Sequence, residues 1–371
     1  MAGANCRRSV RSQVNRHATP PILRLDLGGD INHRANRPKE RGWKFDMSPI
    51  AAKQMLVTGG TGSFGRAFIR TILDTHSPAR VVVFSRDELK QYEMREEFND
   101  DSRLRFFLGD IRDRHRLVRA MRGIELVVHA AALKQVDTAE YNPFEYIATN
   151  ISGSQNVIEA SLDAGVQKVI ALSTDKASSP INLYGATKLV ADKVFQSANH
   201  YAGQQDTRFS VVRYGNVLGS RGSVVPYFQK LAESGESLPI TDPRMTRFWI
   251  SLPQAVEFVI RSFELMQGGE VFVPKIPSMK ITDLAEAISP KSATRSSEIR
   301  PGEKLHEEMI SEDDSRRTLE LDDRYVILPT VANWNFTRPD GVPVPDGFSY
   351  RSNTNSEWLS VEDLRAVISA P

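Results

Sequence analysis

Met55-Leu56-Val57-Thr58-Gly59-Gly60-Thr61-Gly62-Ser63-Phe64-Gly65 is the stretch that decides the fold. Four strand-forming residues run into a Gly-x-x-Gly-x-x-Gly turn, and a helical pattern follows over 64–74. Gly59 permits the tight turn, Gly62 lets backbone amides approach a pyrophosphate, and Gly65 allows close helix–strand packing at the positive end of a helix dipole. A glycine turn standing alone is only a turn. One that leaves a strand and opens a helix is expected to bind a dinucleotide.

Outward from this point the chain alternates. Short apolar runs at Arg80–Ser85, Leu104–Gly109, Glu125–Ala130, Val169–Ser173 and Phe209–Tyr214 are separated by helical stretches over 87–97, 112–122, 143–164 and 184–200. Continuous Val/Ile strands between helices of 10–20 residues predict a doubly wound, parallel α/β sheet of the Rossmann type, covered on both faces. The helix at 143 carries ordered end signals: Asn142 as N-cap, Pro143 in the first turn, Gly165 past the last. These patterns predict a dinucleotide-binding domain over 47–214. A smaller C-terminal region, 215–371, is expected mainly to bind substrate, with 253–273 returning to the main sheet. Ser289–Ser297 reads as a loop.

Composition narrows the remaining classes. The 371 residues hold 48 Lys+Arg, 46 Asp+Glu, 40% apolar residues and one Cys, as in an ordinary globular protein. No apolar run approaches the roughly 18 residues of a membrane span, so no membrane association is expected. The lone Cys excludes a disulfide framework, and the seven His lack ligand spacing, so no metal is expected. The near-neutral balance gives no reason for a nucleic-acid partner. Arg112, Arg114, Arg116, Arg119 and Arg122 share one short helix, but Leu117, Val118 and Met121 supply its buried face and the arginines its solvated one.

The charge is unevenly spread. Residues 1–46 hold ten Lys/Arg and four acids, leaving 38 basic and 42 acidic residues in 47–371. This basic segment has no periodicity and is expected to be a disordered extension upstream of Met47; a transit peptide and a nucleic-acid-binding arginine arm are the other readings.

Two further segments carry chemistry. Where an NAD-binding strand usually ends in an acid, this chain has Ser85-Arg86-Asp87-Glu88-Leu89-Lys90. Ser85, Arg86 and Lys90 can hold a 2′-phosphate, which favours NADP, although Asp87 leaves an acid nearby. Tyr184-Gly185-Ala186-Thr187-Lys188 follows Ser173-Thr174-Asp175-Lys176 at a strand end. A Tyr and a Lys four apart share a helix face, so the ammonium is expected beside the phenol, lowering its pKa. That pair is the acid–base unit of short-chain dehydrogenases/reductases, and the glycine spacing is that of their extended type.

Here the resemblance becomes specific. From Met55 onward the chain resembles the inverting UDP-N-acetylglucosamine 4,6-dehydratases that open the pseudaminic acid pathway. The matching stretches include SRDELKQ (85–91), HAAALK (129–134), ALSTDKA (171–177), PINLYGATK (180–188), ITDPRMTRFWI (240–250) and RPGEKLHE (300–307). Thr-Asp-Lys separates it from retaining dehydratases, which carry Thr-Asp-Glu, and from 4-epimerases, which eliminate no water. Gln135, Asp137 and Glu298 depart from the family pattern.

The resemblance implies catalytic roles for Thr174, Asp175, Lys176, Tyr184 and Lys188. It implies NADP contacts at Gly59, Thr61, Gly62, Ser63, Phe64, Gly65, Ser85, Arg86, Asp87, Glu88, Leu89, Lys90, Asp110, Ile111, Ala130, Lys134, Tyr184 and Lys188. Substrate contacts are implied at Lys134, Asn216, Val224, Val225, Pro226, Tyr227, Phe228, Arg247, Arg300 and Glu303. Tyr184, helped by Asp175, would take the C4 hydroxyl proton; a neutral Lys176 would take the C5 proton while Asp175 protonates the departing C6 hydroxyl. A cytoplasmic homo-oligomer, as large as a hexamer, is expected. A 4-epimerase or reductase on the same scaffold and a non-catalytic NADP-binding regulator are the competing readings.

Overall fold

The computed structural model describes residues 48–203, 205–219 and 223–369. The basic extension therefore lies outside the described residues.

The chain opens with β1 (Gln54–Thr58), α1 (Ser63–Thr75), β2 (Arg80–Ser85), α2 (Glu88–Glu97), β3 (Leu104–Leu108), α3 (Arg114–Ala120) and β4 (Leu126–His129). It continues through α4 (Val136–Tyr141), α5 (Pro143–Tyr146), a π-helical turn (Ile147–Ser152), α6 (Gly153–Ala164), β5 (Lys168–Thr174), α7 (Leu183–Ala198) and β6 (Arg208–Tyr214). The remainder comprises β7 (Asn216–Val217), α8 (Val224–Glu233), β8 (Leu238–Ile240), β9 (Thr246–Ile250), α9 (Leu252–Leu265), β10 (Val271–Pro274), β11 (Ser278–Lys280) and α10 (Ile281–Ile288). After these come β12 (Thr294–Ser296), β13 (Glu308–Ile310), α11 (Glu312–Ser315), β14 (Thr318–Glu320), β15 (Arg324–Ile327), β16 (Val342–Pro343), β17 (Tyr350–Arg351) and α12 (Val361–Ser369).

The main sheet runs β16-β14-β15-β10-β6-β5-β4-β1-β2-β3, parallel from β3 across to β10. Its central strands are buried on both faces, as their unbroken Val/Ile runs require. Helix α1 packs with α9, and α3, α6 and α7 pack with one another in sequence. The chain leaves β1 toward β2 and β3, then returns to build β4, β5 and β6 on the other side. Strand order reverses between β1 and β4, the place where α/β sheets open a ligand crevice.

The strand and helix pattern read from sequence recurs here, including the return of α9 and β10 to the main sheet, where β10 lies parallel to β6. Other expectations need correction. Strands β15, β14 and β16 extend the same sheet in antiparallel fashion, which their short, uneven apolar pattern did not signal. Ser289–Ser297 is not wholly loop, because Thr294–Ser296 pairs with β8. The helix over 143–164 is not uniformly α: six residues form the π turn. Asn142 does not cap it by its side chain, whose amide donates instead to the Thr138 carbonyl at 3.1 Å. Gly165 does end the helix, at φ 70°.

A separate apolar cluster holds the C-terminal elements, with Val225, Trp249, Met279, Leu284 and Leu364 at its centre. The arginines in and just before α3 behave as a solvated face: Arg112, ahead of the helix, pairs with Asp110 and Glu145, and Arg114 with Glu159 and Asp163.

Candidate active site

The carboxyl ends of β1, β2, β4, β5 and β6 open into a cavity of about 1220 Å³, closed on its far side by residues of α8, β9 and the 297–307 segment. At one end lies the glycine turn. Gly59 takes φ 65°, and a Cβ there would sit 2.9 Å from the Ala131 backbone, at the strand-order reversal. A Cβ on Gly65 would come within 2.5 Å of the Gly60 backbone, so the third glycine packs helix α1 onto the turn itself rather than onto a strand. Gly62 is the N-cap of α1, and a side chain there would meet only Gly59 O, at 3.2 Å. A backbone cradle that side chains would fill, open at a helix N-terminus, fits a dinucleotide pyrophosphate.

Beside the cradle the end of β2 is tied to it, since Thr61 and Ser85 hydroxyls hydrogen-bond at 2.9 Å. Arg86 is more than half exposed and faces Asp110 at 3.7 Å. Asp87 caps α2 by accepting from Lys90 N at 3.0 Å and also pairs with the Lys90 ammonium. The acid and the lysine are thus partners, which the sequence left as opposing influences. Glu88 and Leu89 do not join the lining; both stand exposed on the first turn of α2, because the helix turns them outward. Every other residue expected at the cofactor lines the cavity.

The second cluster sits where β5 ends and α7 begins. Asn182 caps α7, accepting from Gly185 N at 2.7 Å, and a Cβ on Gly185 would lie 2.2 Å from Lys176 O. Tyr184 can therefore lie against the Thr174-Asp175-Lys176 turn. The Thr174 hydroxyl hydrogen-bonds the Tyr184 phenol and donates to Asp175 Oδ1 at 2.8 Å. Asp175 is fully buried and does not line the cavity; its Oδ2 has no partner among the described residues. It reaches the cavity only through Thr174 and through Lys176, whose ammonium donates to it at 3.1 Å.

Two expectations about charge are corrected here. Burial alone would lower the Lys176 pKa, but the carboxylates of Asp175 and of Glu307, at 3.2 Å, outweigh it and hold the amine above its ordinary value. Lys176 is an ammonium in this state, not a neutral base. Burial pushes Tyr184 up to about 12, opposed by Lys176 and by the Thr174 hydrogen bond. The cation acting on the phenol is thus Lys176, not Lys188. The Lys188 ammonium instead donates to the Leu172 carbonyl at 2.7 Å, its pKa lowered by burial against the pull of Asp192.

Of the expected substrate contacts, Lys134, Asn216, Val224, Pro226, Tyr227, Phe228, Arg247, Arg300 and Glu303 line the cavity, and Val225 does not. Its position on α8 turns it into the C-terminal core instead. Arg247 is nearly buried and engaged by Thr246 O, Leu305 O and Glu303. Gln135 and Asp137 border the cavity and Glu298 does not.

Sequence reasoning missed two residues. Glu307, 2% exposed, lies 131 positions from the lysine it contacts, and only the fold brings them together. Thr149 lines the cavity with a buried hydroxyl that has no partner among the described residues, from the π turn that helical periodicity could not reveal.

Fold and site together define an extended short-chain dehydrogenase/reductase. The model of the family described as "Polysaccharide biosynthesis protein" matches residues 55–329. The chain is 54% identical over 325 residues to a protein of Campylobacter jejuni strain 81-176 named UDP-N-acetylglucosamine 4,6-dehydratase (inverting), a hydro-lyase, covering 85% of this chain and 97% of that one. Among solved structures, Pen from Bacillus thuringiensis aligns with TM-score 0.80 at 37% identity, over 86% of this chain and 97% of that one. DesIV, a dTDP-glucose 4,6-dehydratase of Streptomyces venezuelae solved with NAD and TYD bound, aligns with TM-score 0.62 at 27% identity, over 68% and 86%. The chain belongs to the polysaccharide biosynthesis protein family. Among the described residues no helix is long and apolar enough to cross a membrane.

Proposed function

We propose that this protein is an NADP-dependent UDP-N-acetylglucosamine 4,6-dehydratase that inverts C5, giving UDP-2-acetamido-2,6-dideoxy-β-L-arabino-hex-4-ulose. The observation that carries the reading is that Thr174, Lys176 and Tyr184 line the same cavity as the glycine cradle, with Asp175 directly behind them. The 54% identity to a dehydratase of this name over most of both chains supports it.

Arg86, Ser85 and Lys90 would take the 2′-phosphate of NADP, Gly59 to Gly65 its pyrophosphate, and Tyr184 and Lys188 the nicotinamide end. The nicotinamide held there would supply a hydride acceptor and donor for C4 and C6, and in its oxidised form a positive charge that favours the phenolate.

The protein's own part is proton transfer. Tyr184 takes the C4 hydroxyl proton, and Thr174, which donates to Asp175, passes the phenol's proton inward to that carboxylate. The C4 ketone acidifies C5–H. Lys176, once it has given up its extra proton, removes the C5 proton from the cavity side. The C6–O bond breaks, and the hydroxyl leaves as water with the proton held on Asp175, delivered by Thr174. Water reprotonates C5 from the opposite face, which inverts that centre, and the hydroxide left takes up the proton that Lys176 had given up, which closes the cycle. Arg247 and Arg300 suit the diphosphate and Glu303 the ribose hydroxyls. We further propose that the product feeds pseudaminic acid synthesis in the cytoplasm and that the enzyme works as a homo-oligomer.

The test is incubation of the full chain with NADP and UDP-N-acetylglucosamine, followed by NMR. Loss of one water, a 4-keto-6-deoxy product of inverted C5 configuration and no net change in cofactor are expected. A C4 epimer without water loss would establish the epimerase reading, net cofactor consumption the reductase, and unchanged sugar with bound cofactor the regulator.

A further inference from the structure

Glu307 closes the RPGEKLHE stretch, which carried no role for it, and its carboxylate lies against Lys176. The segment before β13 brings it to the cavity wall, anchored by its backbone N–H to Ser352 Oγ at 2.9 Å and by Ser352 N to its carbonyl at 2.9 Å. Its side chain is 2% exposed, with Oε1 3.2 Å from Lys176 Nζ and 3.8 Å from Arg247 Nε. The second oxygen, Oε2, is buried without a hydrogen-bond partner among the described residues. Lys176 is thus gripped from two sides, by Asp175 at 3.1 Å and by Glu307 at 3.2 Å.

Asp175 is not free to relieve the lysine of its proton. In the proposed reaction it already receives the C4 hydroxyl proton through Tyr184 and Thr174. A second acceptor is needed if Lys176 is to meet C5–H as an amine, and among the described residues one other carboxylate contacts it. Burying an unpartnered carboxylate oxygen costs free energy that a purely structural ion pair has no reason to bear.

We propose that Glu307 is the positioning residue of the dehydration step: it fixes Lys176 Nζ at the cavity wall and takes its proton, leaving the amine that removes the C5 proton. In that transfer the Nζ–H bond breaks, its electron pair stays on nitrogen, and an Oε1–H bond forms. The ion pair becomes a neutral pair and no co-reactant is consumed. The other charged or titratable groups facing Lys176 are Asp175, Arg247, Tyr184 and Lys304. Arg247 Nε lies 3.8 Å from the same oxygen, and a diphosphate bound at Arg247 would offset that positive charge and ease the transfer.

This inference rests on the dehydratase reading, and its test separates the two. The full-chain protein and its Glu307→Gln and Glu307→Asp variants are compared for C4 oxidation, for solvent deuterium entry at C5 and for water loss. Glu307→Gln is expected to retain cofactor reduction by substrate with a KM near that of the parent, while C5 exchange falls roughly 100-fold or more, the scale of a lost proton acceptor. Glu307→Asp, a carboxylate withdrawn by one methylene, should recover part of that loss. Competitive acetylation of Lys176 in the ligand-free proteins, followed by mass spectrometry across pH, gives a readout independent of turnover. Its apparent pKa should fall by about one unit or more in Glu307→Gln. Exchange that is unchanged or faster in Glu307→Gln overturns the inference, since a carboxylate that merely keeps the lysine charged would slow the reaction. An unshifted Lys176 pKa overturns it as well. If Glu307→Gln fails to fold, exchange in Glu307→Asp equal to the parent's is the overturning result. Absence of water loss in the parent refutes the dehydratase reading, and the acetylation result still stands on its own.

Discussion

Gly65→Ala tests whether the glycine turn is held by packing or only by its ligand. An added methyl at position 65 lies 2.5 Å from both Gly60 Cα and O and 2.7 Å from its carbonyl carbon. Ordinary contacts need about 3.5 Å or more, so the helix must withdraw by roughly 1 Å. Alanine is the better helix former by about 1 kcal/mol. Overpacking by roughly 1 Å against backbone, which no rotamer can relieve, belongs in the upper part of the usual range, about 2–3 kcal/mol, so the clash outweighs the propensity and net destabilisation of about 1–2 kcal/mol is expected. Gly62→Ala is the control. Its methyl meets only Gly59 O, at 3.2 Å, which a shift of a few tenths of an ångström relieves, and its φ of −75° suits alanine, so the fold should hold while the methyl occupies the cradle. Urea denaturation and calorimetric NADP binding on the full chain give the two axes. Gly65→Ala should lose stability and bind NADP at least about tenfold more weakly, equivalent to about 1.4 kcal/mol. Gly62→Ala should lose binding by a similar factor with an unchanged urea midpoint. Parental stability in Gly65→Ala would refute the packing argument, and parental NADP affinity in Gly62→Ala would refute the cradle.

Arg86→Ala should raise the Kd for NADP about tenfold and leave that for NAD unchanged, measured by calorimetry; equal losses for both would remove Arg86 from the phosphate. His129 is buried between Thr58 Oγ1 at 2.8 Å and Ser154 Oγ at 3.3 Å, and burial, with the Lys188 charge, pushes its pKa down to about 3. The unfolded chain takes up that proton below about 6.5 and the folded chain does not, so this stability is complete above 6.5 and is lost as pH falls toward 3. Between pH 7.5 and 5 the stability gap between parent and His129→Gln should narrow by about 2 kcal/mol in urea titrations; a constant gap would show that His129 is protonated in the fold. Asp192→Asn strands Arg213, which lies 3.2 Å from it with both side chains at most 3% exposed, and should cost about 3–5 kcal/mol by denaturation. A loss under about 1 kcal/mol would mean that the Met309 carbonyl and the Asp314 carboxylate, 3.9 Å away, satisfy the arginine without it.

The parts of this fold that were legible in the sequence are those fixed by neighbours in the chain. Parallel strands buried on both faces must be unbroken apolar runs, and helices between them must carry an apolar stripe, so β1 to β6 and α9 with β10 could be read directly. Strands β14 to β16 could not, because two to four residues have too little length for periodicity. The π turn was hidden for a related reason: one inserted residue leaves the apolar spacing of a helix almost unchanged.

The candidate site divides along the same line. By itself the sequence determined that a glycine cradle follows β1, that Ser85 and Arg86 end β2, and that Tyr184 and Lys188 share a helix face, since each depends on residues within a few positions. Only the tertiary structure decided which charges meet. It turned Lys188 to the Leu172 carbonyl, closed Asp87 on Lys90, buried Asp175 behind Thr174 and set Glu307 against Lys176 across 131 residues of chain. A protonation state is set by burial and by charges within a few ångströms, and the folded chain draws those from anywhere along its length.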